Sequence, residues 1–192
     1  MRNLPIIFED LVKEAKQCSL CIEHLPYGVN PIFSIGPQAK VVLIGQAPGL
    51  IAHQNTKAFS DKSGERLRQW LHIDTTTFYD ENKLAIMPMG FCFPGYKNGA
   101  DAPPRKECAP TWHEKMLHAI QPELILLVGR YAQKYYLPKY RTLTDAIKNN
   151  CDEKFAVLPH PSGRNNRWLA QHPWFETEYL PHVVERLTPL LE

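Results

Sequence analysis

The chain predicts an α/β fold: a three-layer αβα sandwich around a central four-stranded parallel sheet. Three observations carry this. Four short apolar runs occur along the chain: Val41–Ile44, Leu84–Met89, Leu124–Val128 and Phe155–Leu158. Each is continuous rather than alternating, the mark of a strand buried on both faces. Helical periodicity fills the intervals between them, and that alternation implies parallel strands with helices on both faces and right-handed crossovers.

Taken in order, residues 5–17 read as a short amphipathic helix that ends at a Cys18 turn. The first strand, 41–44, stops at Gly45-Gln46-Ala47-Pro48-Gly49. Leu67, Trp70 and Leu71 give 63–71 a helical face. The second strand is read over 84–89. Residues 113–120 form a helix before the third strand at 124–128. Segments 131–136 and 143–149 look helical. The fourth strand, 155–158, runs into Pro159-His160-Pro161-Ser162. Residues 168–170 and 175–191 supply closing helices. In such sheets ligands sit beyond the carboxyl ends of the strands. Both punctuated segments therefore belong on one rim, and a site is expected there.

The bulk properties bound the rest. With 192 residues and 44% hydrophobic content, residues 1–192 suffice for a single domain with a full core. A net charge of +2 names no partner. The N-terminal segment is charged and lacks an apolar core, so no signal peptide is read there. No run approaches the roughly 20 apolar residues of a membrane span. The expected location is the cytoplasm, where cysteines serve metal or redox roles more often than disulfides.

Individual motifs carry competing meanings. Gly45–Gly49 lets backbone approach a ligand closely, with Gln46 offering donors and an acceptor. An ordinary strand-to-loop turn is the alternative. It is not a nucleotide loop, lacking both GxGxxG and GxxxxGK[ST]. His160 is fenced by prolines that fix its backbone; a structural histidine is the competing reading. Ser162 through Arg167 joins a small turn to two guanidiniums and two amides, which suits phosphate or a solvated loop equally. Phe59, in a polar loop, suits stacking on a base or plugging the core. Four of the five cysteines fall as Cys18-x2-Cys21 and Cys92-x15-Cys108. By count they fit a [4Fe–4S] cluster, a four-cysteine zinc site, or buried thiols.

Together these residues resemble the uracil-DNA glycosylase superfamily over nearly the whole chain, and within it the iron–sulfur branch called family 4, closest to its family 4-like members. Val41–Gly49 is similar to the first active-site motif, which usually reads GEAPG. Ala58-Phe59 through Ser63-Gly64 resembles the next stretch, whose phenylalanine stacks on a flipped base. His160-Pro161-Ser162 resembles the HPS motif of the second loop. That branch also carries C-x2-C, then two cysteines spaced like Cys92 and Cys108, the latter in a similar Glu107-Cys108-x-Pro110 setting.

The resemblance implies hydrolysis of an N-glycosidic bond in DNA, with the base flipped out of the stack. His160 is then the donor to the departing base. Gln46, with Gly45, Ala47, Pro48 and Gly49, holds the base and positions water, and Phe59 stacks beneath it. Ser162, Arg164 and Asn165 grip DNA. Cys18, Cys21, Cys92 and Cys108 hold a structural [4Fe–4S] cluster, zinc being the alternative. Arg105 and Lys106 beside Cys108 meet phosphate. DNA is the expected partner, with no membrane, and a monomer the expected state. Departures exist. Pro88 stands four positions before Cys92, where the family usually places an asparagine that reads the uracil edge. Gln46 replaces glutamate, and Ala47 stands where the most active branch has an aspartate. Two rivals follow: a binding module of the same fold that has lost catalysis, and a zinc-stabilised nucleoside hydrolase.

Overall fold

A computed structural model describes residues 4–192, with side chains from residue 8 onward. Helix α1 (Leu4–Lys16) leads into a turn bearing Cys18 and Cys21, followed by a single 3-10 turn at Ile22–His24. An irregular segment then bridges Ser34 to Ile86 before strand β1 (Val41–Ile44). Helices α2 (Leu50–Asn55), α3 (Lys62–Leu71) and α4 (Thr75–Tyr79) separate β1 from β2 (Leu84–Ile86). A two-stranded hairpin follows, β3 (Tyr96–Lys97) with β4 (Ala100–Asp101), and then α5 (Cys108–Ile120). Strand β5 (Leu124–Val128), helices α6 (Arg130–Tyr136) and α7 (Leu143–Asn149), and strand β6 (Phe155–Leu158) complete the sheet. The chain closes with α8 (Asn166–Gln171), a π turn at Phe175–Tyr179, and α9 (Leu180–Leu191).

The main sheet has the order β2-β1-β5-β6, every pair parallel. Val41 pairs with Leu84 on one side and with Leu124 on the other. All of β1, β2 and β5 is buried, as continuous apolar runs require when helices cover both faces. Helix α9 packs on β1 and α3, α6 on β5, α7 on β6, and α1 on α5. The α/β class and the central four-stranded parallel sheet therefore stand as read from the sequence. No helix among the described residues is long and apolar enough to cross a membrane.

Some boundaries differ, for identifiable reasons. The second strand was expected to reach Met89, but its regular pairing ends at Ile86. Pro88 has no N–H to continue the outer edge, where Ile86 N–H donates to Ser34 O at 2.7 Å. The segment nonetheless stays alongside the end of β1: Met89 N–H donates to Gly45 O at 2.9 Å and Gly90 N–H to Gln46 O at 3.1 Å. Helix α5 begins at Cys108, five residues before the expected start. Pro110 falls in its first turn, where N–H groups have no intrahelical partner. Helices α2 and α4 are six and five residues long, too short for a periodic window to register. Helix α4 instead rests on its cap, the Asp74 carboxylate accepting from Thr77 N–H at 2.9 Å.

Topology fixes where a ligand goes. From β1 the chain moves outward to β2, then returns across β1 to β5 and β6. The order reverses between β1 and β5, so a crevice opens beyond their carboxyl ends. Gly45–Gly49 leaves β1 at this point, and Gly129, at φ +88°, ends β5 directly beneath His160.

Candidate functional site

A cavity of about 70 Å³ opens at this switch point. Gly45 through Gly49, Phe59, Pro88 and His160 all line it. Three separate strand ends thus deliver their residues to one place, the shared rim expected from the sequence. Asp61, Ser63 and Asp101 also line it, and sequence reasoning singled out none of them for the site.

Phe59 is held in an unusual conformation. Its φ is +53°, the left-handed region that a bulky residue avoids. Its carbonyl is the anchor, accepting from Tyr79 O–H at 3.0 Å and from Arg68 Nη1 at 3.3 Å. Gly64 makes room: a Cβ there would lie 1.8 Å from the Phe59 oxygen. Gly45 makes room for the ring, since its Cβ would meet Phe59 Cζ at 2.9 Å. Phe78 supports the ring edge-on, with centroids 6.1 Å apart. Strain over-determined by surrounding contacts is the pattern of a positioned functional group.

His160 is held as firmly. Ser162 N–H donates to its Nδ1 at 3.3 Å, and Asn165 Nδ2 donates to its carbonyl at 2.7 Å. A nitrogen that accepts carries no proton, so the neutral ring bears its N–H on Nε2. Burial holds the ring below the usual histidine range; the negative charges of Asp61 and Asp101 oppose this, and Arg164 adds to it. The result is a neutral imidazole presenting one donor. Asn165 and Ser162 therefore act on His160 here, while Arg164 is exposed.

Pro88 lines the cavity and has no N–H to offer. Its carbonyl is taken by His113, whose Nε2 donates at 3.0 Å while Nδ1 accepts from Tyr136 O–H at 2.7 Å. His113 is buried, and desolvation drives it down to about 4. This buried network fixes the wall of the pocket through a backbone atom.

A second cavity brings the four cysteines together. Cys18, Cys21, Cys92 and Cys108 line it with Leu20, Leu25, Pro31, Phe91 and Trp112. They arrive from the turn after α1, the segment beyond β2, and the first residue of α5. Burial pushes the Cys108 thiol up to about 12, and negative charge on the other three adds to the shift. Cys92 is raised for the same reasons. Phe91 N–H points at Cys108 Sγ at 3.3 Å. Arg105 Nε and Trp112 Nε1, two donors beside this cavity, are buried without partners. Among the described residues, no three His, Cys, Asp or Glu side chains are grouped as a single metal ion requires.

The family model of the Uracil DNA glycosylase superfamily matches residues 33–184. The chain belongs to that superfamily. The matched range takes in Gly45–Gly49, Phe59, Pro88, Cys92, Cys108 and His160. Cys18 and Cys21 precede it. The two loops that meet at the switch-point cavity, after β1 and after β6, both lie inside the matched range.

The missed residues left different traces. Asp61 caps α3, its carboxylate accepting from Gly64 N–H at 3.0 Å. An aspartate three residues before a small helical residue is a capping signal, not a catalytic one. Asp101 follows Asn98-Gly99, whose φ values of +52° and +73° form the turn of the hairpin. Asn-Gly between short extended segments is a strong hairpin signal, and it would have flagged this element.

Proposed function

We propose that this protein is a DNA glycosylase of base excision, hydrolysing the N-glycosidic bond of uracil or another damaged base flipped out of DNA, as a cytoplasmic monomer. The observation that carries the reading is the neutral His160, its Nδ1 occupied by Ser162 and its Nε2–H left as a donor in the switch-point cavity. Breaking a glycosidic bond sends negative charge onto the departing base. A fixed donor in a partly desolvated site stabilises that charge without reorganising. Phe59 offers a rigid face for stacking, and the Gly45–Gly49 backbone with Gln46 offers polar groups to the base and the attacking water. Pro88 has no N–H and its carbonyl is taken by His113, so base choice falls to Gln46, the rest of the backbone and the shape of the wall.

Cys18, Cys21, Cys92 and Cys108 are proposed to hold a [4Fe–4S] cluster. The residues fit such a group. Four thiols ring an apolar cavity instead of meeting at a point, and burial with mutual repulsion disfavours thiolates left uncompensated there. The unpartnered Arg105 Nε and Trp112 Nε1 are suitable donors to sulfur. When bound, the cluster supplies a cross-link between the N-terminal segment and α5. Hydrolysis needs no electron from it.

The test is base release from DNA carrying uracil, hypoxanthine or xanthine, with His160→Ala beside wild type. Release by wild type and its loss in the variant support the reading. Tight binding to such DNA without any release would instead favour a binding-only member of the fold. Iron with acid-labile sulfide, against zinc, decides the metal.

A further inference from the structure

The Gly45–Gly49 loop contains no acid, and the cavity nonetheless holds two carboxylates. They are not equivalent. Asp61 is committed to the cap of α3. Asp101 lies at the cavity's edge on the hairpin, and among the described residues its carboxylate enters no ion pair. Its Oδ2 lies 3.4 Å from where a Cβ on Gly49 would stand, so it faces the loop that would hold the base.

The hairpin is a rigid carrier. Asn98 and Gly99 both adopt positive φ, which matches the twist of a tight two-residue turn. Ala102 N–H closes its base on Gly95 O at 2.8 Å. Tyr96, paired directly with Asp101, packs on buried Phe93 at 5.3 Å between centroids, and Phe93 packs on Tyr27 at 5.0 Å. The charge of Asp101 also reaches His160, where it opposes the effect of burial.

We propose that Asp101 is a catalytic carboxylate of this cavity, orienting the attacking water and accepting its proton. The inference rests on the glycosylase reading. The bond between the sugar C1′ and the base nitrogen breaks, and its electron pair leaves with the base toward the His160 donor. Positive charge grows on the sugar, and a carboxylate stabilises it as in other glycoside hydrolysis. The water oxygen bonds to C1′, its proton passes to Asp101, and from there to solvent. A hairpin inserted between two strand ends thereby does what the first loop cannot.

The experiment is single-turnover base release by Asp101→Asn, on whichever lesion-bearing DNA wild type cleaves, with DNA affinity measured by fluorescence anisotropy. Asp101 is exposed, so the melting temperature stays at the wild-type value. The expected result is a rate lower by about 100-fold or more, the usual range for loss of a general base, with Kd for the same DNA within about threefold. A rate within threefold of wild type overturns the proposal. So does a weaker Kd with an unchanged saturating rate, which would make Asp101 a binding contact. If wild type releases no base from any lesion, the glycosylase reading itself fails and takes this proposal with it.

Discussion

Gly64→Ala sets helix propensity against the packing of Phe59. Gly64 lies inside α3, where replacement of glycine by alanine ordinarily gains about 1 kcal/mol. The structure demands the opposite sign. The new Cβ would stand 1.8 Å from the Phe59 oxygen, a backbone atom that must retreat by more than 1 Å before the contact is tolerable. That retreat breaks the bonds from Tyr79 and Arg68 to the same oxygen. It also pulls on the Asp61 cap, whose carboxylate accepts from the Gly64 N–H. Two hydrogen bonds at about 1 kcal/mol each and a weakened cap at about 1 kcal/mol outweigh the propensity gain, for a net loss of about 2 kcal/mol. Urea unfolding of wild type and variant measures it. Base release should fall in parallel, because the stacking ring is displaced. A variant as stable as wild type, or more so, would refute the account of how Phe59 is held.

Three further outcomes follow from named contacts. Asn165→Ala removes the bond to the His160 carbonyl; base release should drop roughly fivefold, as about 1 kcal/mol of loop anchoring is lost, with Kd for DNA unchanged. A loss of affinity alone would return Asn165 to the DNA-gripping role expected from the sequence. His113 is buried neutral with its value lowered to about 4, so the unfolded chain binds the proton first as pH falls. Stability is therefore full above about 6.5 and declines toward pH 4, by an order of 3 kcal/mol; urea midpoints across that window check the sign. Cys18→Ser should lower the iron content of purified protein and broaden proteolysis of the N-terminal segment, while equal iron in both proteins would remove Cys18 from the ligand set.

Much of the architecture was legible because the sheet is buried on both faces. Continuous runs such as VVLI and LILLV leave no other place for themselves, and the helix read over 143–149 is α7 at those bounds, capped in the fold by Thr142. The shared rim of Gly45–Gly49 and His160 followed from topology alone. What escaped notice was local. Short α2 and α4 depend on caps and tertiary support rather than on periodicity. The hairpin carrying Asp101 is too brief to show alternation, and only Asn98-Gly99 announces it. Ser162 and Asn165 were read as suiting phosphate or a solvated loop, and composition does not reveal the partner that a polar group has within the fold. In the fold the Ser162 backbone N–H and the Asn165 side-chain amide both bond to His160. The reason for Gly64 lies across space, in a carbonyl five residues away that only the folded loop brings overhead.

The most direct measurement is chromatographic detection of free base after incubating wild type and His160→Ala with DNA duplexes and single strands carrying uracil, hypoxanthine or xanthine. Wild type should release at least one of these bases and leave an abasic site, and the variant should do so at least about 100-fold more slowly, the scale of losing one preorganised donor. Equal release by both proteins, or none from any lesion by wild type, would contradict the assignment of His160 as the donor of a DNA glycosylase.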